Sequence, residues 1–392
     1  MLISHAMAAQ LENSSWIRRM FEAGLQLRRE RGVENVYDFS LGNPDLEPPE
    51  AVMTALRRVA AENRPHSHAY MPNAGYPEVR EIIARRLAAR SGVRYAAADI
   101  LMTNGAAGAI NTLLKSILDP GDEVLVLSPY FPEYRFYIEN HGGRMVTVET
   151  GERFQPEAAR IAAAVTPRTR ALILNSPNNP TGTVYGEAVL RKIDGALPRD
   201  VMVICDEPYR PIVFDGIRVP EAAAIFGRAA IAWSWSKSQG LSGERIGYLA
   251  LPPEIAGIER LRSACAVAQR TLGYINATAI WQRVVAEEPE AVIDVAEYQA
   301  RRDLLCGALA RMGYEVARPE GSFYVFPRTP MPDDVAFIGL LQQEGILAVP
   351  GRGFGRAGYM RLSLTIPREA IERSLAGFAR ALAQASLLLC CQ

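Results

Sequence analysis

Histidine and cysteine are scarce in this 392-residue chain, with four of the first and five of the second. The cysteines, at 205, 265, 306, 390 and 391, form no CxxC pair and no zinc-type spacing, so no metal centre is expected. An odd count without a disulfide framework points instead to reduced thiols and a cytoplasmic protein. Net charge is lacking too. Forty-three basic residues balance 43 acidic ones, which leaves no global field to draw nucleic acid or an anionic membrane. No apolar run approaches the ~20 residues of a membrane span, and the opening MLISHAMAAQLENSSW has no continuous apolar segment of the signal-peptide kind. The apolar tail SLLLCCQ sets its cysteines one position away from a lipidation box and reads as a packed or frayed helix end. Internal repeats, low-complexity linkers and a DNA-binding module are also missing. What is there, 49% hydrophobic and 22% charged residues, is ordinary globular composition, so function has to come from a site.

Along the chain, residues 13–31 place Ile17, Met20, Phe21 and Leu25 at helical spacing after cap-type residues at 13–15, which predicts a first amphipathic helix. A strand-like run at 36–41 breaks on Gly42, Asn43 and Pro44, and helical patterns at 49–61 and 75–90 flank the polar loop HSHAYMPNAG. Then the apolar runs ILMTN, EVLVLSP, RMVTVE, RALILNSP, VMVICDEPY and AAIAWSWSK appear in turn, with helical patterns at about 106–118 and 185–196. Near-continuous apolar strands separated by helices mean a mostly parallel sheet flanked by helices on both faces, an α/β architecture. From about residue 290, the helix VAEYQARRDLLCGALARM, strands GYEVA and SFYVFP, helix DVAFIGLLQQEG, strands ILAVP and MRLSLT, and helix PREAIERSLAGFARALAQA predict a smaller α+β domain. The expected division is an N-terminal segment 1–48 packing with the small domain, a large α/β domain 49–290 and a small domain 291–392.

In sheets of this kind ligands sit at the carboxyl ends of the strands. Five candidate strands end there in unusual residues: TNGAAG, PYF, NSPNNPTG, DEPY and SKS. The last belongs to AWSWSKSQGLSGERIG, in which Lys237 lies among Ser234, Ser236 and Ser238 and is followed by Arg245. Such an amine either condenses with an aldehyde cofactor or is a solvated surface charge, and the stretch alone leaves both open. The other strand ends supply what pyridoxal phosphate requires. Gly105, Ala106 and Ala107 open a helix whose backbone N–H groups, with Arg245, suit a phosphate. Phe131 offers a stacking face, Asp206 a carboxylate for the protonated ring nitrogen, Asn179 and Tyr209 donors for the phenolate oxygen, and Lys237 the amine for a Schiff base.

The runs N-x-P-x-N-P-T-G at 175–182, D-E-x-Y at 206–209, S-x-S-K-x-x-x-x-x-G-x-R-x-G at 234–247 and P-G-x-x-F-G at 350–355 resemble the class I/II aminotransferases of PLP fold type I. The likeness extends from SLGNPD to MRLS, nearly the whole chain. It implies a PLP-dependent transaminase that exchanges an amino group between an L-amino acid and a 2-oxo acid by a ping-pong route, with Lys237, Asp206 and Tyr209 in catalysis. It also implies phosphate contacts from Ser234, Ser236 and Arg245, an α-carboxylate gripped by Arg361 beside Gly42 and Asn179, and a Tyr70 that reaches the neighbouring subunit of a homodimer with shared active sites. Departures from the family pattern are Gln239, where an aromatic is common, and GAA at 105–107, where a serine, threonine or dicarboxylate-associated lysine often stands. A second cation for a dicarboxylate would have to be Arg352, Arg270 or a histidine near 66, and none can be assigned from the sequence. Two other readings are kept: a C–S β-lyase or other fold type I enzyme on the same cofactor, and a non-catalytic PLP-binding regulator.

Overall fold

The computed structural model describes residues 2–12, 16–62 and 64–390. The cap-type residues at 13–15, the side chains of Ile17 and Phe21, and Cys391 lie outside what is described. Two helices, His5–Glu12 and Trp16–Arg31, lead to a short strand β1 (Tyr37–Asp38). After helices Glu50–Glu62 and Pro77–Ser91 comes the series β2 (Ile100–Thr103), β3 (Glu123–Ser128), β4 (Arg144–Glu149), β5 (Thr169–Asn175), β6 (Met202–Asp206), β7 (Ala229–Ser234) and β8 (Gly247–Ala250). These seven form one sheet in the order β2-β8-β7-β6-β5-β3-β4. β8 runs antiparallel to both neighbours and every other adjacent pair is parallel, so the sheet is mostly parallel, as the apolar runs predict.

Alternate residues of each strand go to opposite faces, and here both faces are buried. Leu172, Val203 and Ile231 join Val59, Ile83 and Trp281 in one apolar cluster, while Ile173, Ile204 and Leu249 join Leu113 and Ile138 in the other. Each central strand is therefore apolar along its length, which is why it reads from sequence as a run rather than an alternation.

A third cluster gathers Met20, Phe39, Tyr298, Phe323, Phe337 and Phe378. Around it lie helix Val295–Met312, β9 (Tyr324–Val325), helix Asp334–Gln343, β10 (Ile346–Leu347), β11 (Val349–Pro350), β12 (Met360–Ser363) and helix Arg368–Cys390. β1 pairs parallel with β10, and β12 sits between β11 and β9. Three local expectations change. The run GYEVA forms no strand: Glu315 O accepts from Arg328 N, but Pro319, in register further along, has no N–H to extend a ladder. SFYVFP shrinks to Tyr324–Val325. The last central strand stops at Ser234, because the Ser234 hydroxyl caps a short helical turn, Trp235–Ser238, by accepting from Ser236 N at 3.1 Å.

Candidate active site

Because β2, β3, β5, β6 and β7 are mutually parallel, their five carboxyl ends share one edge of the sheet. Asn175 pairs with Asp206, and Thr103 and Ser234 both oppose Gly247. Gly247 is what allows the closeness of the last two ends: a Cβ there would lie 2.3 Å from Trp233 O and 2.8 Å from Gly105 Cα. A cavity of about 210 Å³ opens at this edge, lined by Ala106, Ala107, Phe131, Asn179, Asp206, Tyr209, Ser234, Ser236, Lys237 and Arg245. Ten of the residues singled out in the sequence thus face one space, and Gly105 lies against Arg245 at its rim.

Lys237 Nζ donates to Gly42 O at 2.8 Å and lies 5.8 Å from the Phe323 ring centroid. Burial, then the nearby Arg245 and Arg361 cations, pull its pKa from the usual 10.5 to about 8. Asp206, at the end of β6, accepts a hydrogen bond from the Tyr134 hydroxyl on one carboxylate oxygen. Its other oxygen, Oδ1, is buried and has no partner. Burial raises its pKa to about 7; the Tyr134 hydrogen bond opposes this and Glu207 adds to it. Asn175 Nδ2 donates to Asp206 O at 2.9 Å and its Oδ1 accepts from Asn179 N at 2.7 Å, so one amide ties the 175–182 loop to the end of β6.

Arg245, with φ 55 in the left-handed region, is held by Ser236 Oγ at 3.3 Å and Ser242 O at 2.9 Å, and its Nη2 is 3.4 Å from Asn104 O just ahead of helix Gly105–Ile117. Ser234 Oγ donates to Ser236 Oγ at 2.7 Å. Two hydroxyls, a guanidinium and a helix N-terminus therefore converge, a setting for an anion.

Arg361 is 1% exposed, and its guanidinium lies between the rings of Tyr324 (4.4 Å) and Phe354 (4.8 Å). Its Nη1 donates to Asn179 Oδ1 at 3.1 Å and its Nη2 to Ser40 O at 2.7 Å, while Nε is buried without a partner. Gly42 fits because it has no side chain: a Cβ would sit 1.8 Å from Tyr324 Oη. Tyr209 Oη is 3.4 Å from Tyr324 Oη. Tyr70 does not line the cavity and is 88% exposed. Of the cations held in reserve for a second carboxylate, Arg352 is bound to Asp333 and Asp334, Arg270 is exposed on helix Ile258–Thr271, and His66 lies exposed in a turn.

Tyr134, Tyr137, Asn175, Ser242 and Tyr324 escaped the sequence reading. The first two had a signal, since Phe131, Tyr134 and Tyr137 recur every third residue and all face the cavity. Tyr324 had none, because its partners come from residue 42 and residue 361.

Pyridoxal phosphate fits this donor set. An orphaned carboxylate oxygen suits a protonated ring nitrogen, Phe131 offers a flat face, the Arg245 corner takes a phosphate, and Lys237 supplies an amine. Exchanging Arg361 for lysine is expected to raise KM for the amino donor roughly 10- to 100-fold with a smaller change in kcat, because one charge-assisted hydrogen bond of about 1.5–3 kcal/mol is lost. Steady-state kinetics on the variant checks this.

The family profile described as "Aminotransferase class I and II" matches residues 34–378. An aspartate/prephenate aminotransferase of Thermus thermophilus is 35% identical over 372 residues, 92% of this chain and 94% of that protein. An aromatic-amino-acid aminotransferase of Thermococcus litoralis is 31% identical over 387 residues, 93% of this chain and 95% of that one. Among solved structures, an amino transferase from Eubacterium rectale superposes with a TM-score of 0.94 at 35% identity, covering 98% of this chain and 99% of that one.

Proposed function

We infer, from the premise that this chain belongs to the class I and II aminotransferase family, how its own residues divide the work of transamination. Membership makes it a pyridoxal-phosphate-dependent aminotransferase; the β-lyase and regulator alternatives are not favoured by relatives that are named as aminotransferases. When bound, the cofactor supplies an electron sink that stabilises negative charge at the substrate α-carbon. The observation that supports our assignment is that one cavity holds both the Lys237 amine, with a pKa near 8, and an unpartnered oxygen of buried Asp206.

In this reading Asp206 would hold a proton at the ring nitrogen, with Tyr134 keeping the carboxylate in place. Asn179 and Tyr209 would donate to the phenolate oxygen, Arg245, Ser234, Ser236 and the backbone N–H groups of Gly105, Ala106 and Ala107 would bind the phosphate, and Phe131 would offer its flat face to the ring. Lys237 would supply the amine through which the cofactor is held and, as a neutral amine, would take the α-proton and return it. Arg361, beside Gly42 and Asn179, binds the α-carboxylate as a fork, a geometry that fixes which face of the α-carbon meets Lys237. The exchange of amino group between an L-amino acid and a 2-oxo acid is ping-pong, with the first oxo acid leaving before the second enters. We also propose a homodimer in which Tyr70 reaches the partner's phosphate, a domain division near residues 48 and 290, and a cytoplasmic location, supported by the free thiols of Cys205, Cys265 and Cys306. No described helix is long and apolar enough to cross a membrane.

Relatives are named for aspartate and for aromatic amino acids. Among the described residues, the only cations lining this cavity are Lys237 and Arg245, and both already have work to do; of its aromatic lining, Tyr137 alone has no role assigned above. That favours a donor with an uncharged, preferably aromatic side chain. The test is a screen of the twenty amino acids with 2-oxoglutarate, read as kcat/KM. Phenylalanine, tyrosine or leucine should exceed aspartate at least tenfold; an aspartate preference would overturn the donor assignment and leave the aminotransferase intact.

A further inference from the structure

The turn that holds Lys237 borders a second cavity. It encloses about 270 Å³, against about 210 Å³ for the cofactor cavity, and Trp235 and Ser238, on either side of Lys237, belong to its wall. Trp233 on β7 and Tyr248 on β8 are register partners whose rings stack at 6.0 Å and 14°, and Trp235 meets Tyr248 edge-on at 5.6 Å. Arg90 lies over the Trp233 ring at 5.2 Å, and the three aromatics, almost wholly buried, form an apolar floor to the cavity. Helix Pro77–Ser91 adds Arg86 and Arg90 at four-residue spacing, so both cations lie on the face turned to the cavity.

The far side is the 289–292 segment, which precedes helix Val295–Met312. Three hydrogen bonds tie the Lys237 turn to it: Trp235 Nε1 to Pro289 O at 3.0 Å, Gln239 Nε2 to Glu288 O at 2.6 Å, and Ile293 N to Ser238 O at 2.8 Å. Gln239, a departure from the family pattern, is thus one of the ties. An occupant would lie between the reactive turn and the segment that anchors it.

Charge points to an anionic occupant. Arg90 is engaged by Glu207 and Glu221, but among the described residues Arg86 pairs only with Glu290, the two side chains being 45% and 73% exposed. An ion pair so exposed is weak and exchanges readily for another carboxylate.

We propose that this cavity is a second small-molecule site, which takes an aromatic monocarboxylic acid and acts on catalysis through the Trp235–Ser238 turn. The ring packs against this apolar floor, and the carboxylate replaces Glu290 on Arg86. Because the occupant is wedged against the turn, its binding changes kcat without competing for Arg361.

The probe is 3-indolepropionate, an aromatic acid with no amino or oxo group to react. Holoenzyme is assayed at several concentrations of the amino donor while the probe is raised into the millimolar range, and binding is followed in parallel by calorimetry. The expected result is a change in kcat of at least about twofold in a pattern not relieved by donor. Arg86→Gln should weaken the response about tenfold by removing the carboxylate's partner, with kcat and KM unchanged in the absence of probe. Ala291→Trp, which fills the cavity, should abolish it. Should the tryptophan variant fail to fold, Arg86→Gln decides alone, since that side chain is half exposed. Inhibition purely competitive with donor and indifferent to Arg86→Gln would mean binding at Arg361 only and would overturn the proposal, as would no heat and no kinetic effect.

Discussion

Lys237→Ala is expected to reduce kcat by about 10⁴-fold or more, while the protein still takes up pyridoxal phosphate through the phosphate and ring contacts. Equilibrium dialysis measures the second and steady-state assay the first. The size of the effect follows from the demand for a base that is neutral yet close to its conjugate acid at working pH. Burial and the cations Arg245 and Arg361 all disfavour the ammonium form, so the pKa moves down, from 10.5 to about 8. Above about pH 8 the amine is predominantly neutral; below it the ammonium predominates. In apoprotein, the rate of acylation of Lys237 should therefore be half-maximal near pH 8. Lys237→Arg separates charge from proton transfer: it keeps a cation in the cavity but never gives up a proton, so it should be as inactive as the alanine variant. Near-normal turnover in either variant would remove Lys237 from the mechanism.

The Lys237 case also indicates what a sequence can disclose. Residues at strand ends were readable because a parallel sheet delivers all its carboxyl ends to one edge, so Asn104–Ala107, Phe131, Asn179, Asp206 and Lys237 could be placed together from order alone. The central strands were readable for the same reason, being buried on both faces. Contacts that depend on the third apolar cluster were not. Tyr324 lies under Arg361 and fills the space a side chain at Gly42 would need, yet 282 residues of chain separate it from Gly42 and no periodicity links the three. The end of β7 was misjudged by a few residues because WSWS reads as strand, whereas the Ser234 hydroxyl competes for the backbone and turns the chain. That turn is what presents Lys237 to Gly42 rather than continuing it along the sheet.

Asp206→Asn is expected to cost about 10²–10⁴ in kcat/KM and, in the absence of cofactor, to make the protein more stable. The two effects share one cause. Asp206 lies buried with Oδ1 unpartnered, and burial raises its pKa from 3.8 to about 7 against the Tyr134 hydrogen bond. Between those values the folded apoprotein binds the proton more tightly than the unfolded chain does, so its stability falls as pH rises from about 4 to about 7, and above that the penalty is fully present. Asparagine cannot ionise and escapes the penalty. The apo variant should therefore unfold at a higher temperature than apo wild type at pH 8, with the difference shrinking towards pH 4. With pyridoxal phosphate the order should reverse, because the wild-type carboxylate then pairs with a protonated ring nitrogen that an amide cannot hold. Calorimetry of both proteins, with and without cofactor at the two pH values, separates this account from simple misfolding. A variant less stable than wild type in all four conditions would mean that Asp206 is a structural carboxylate, and its place opposite the cofactor would have to be abandoned.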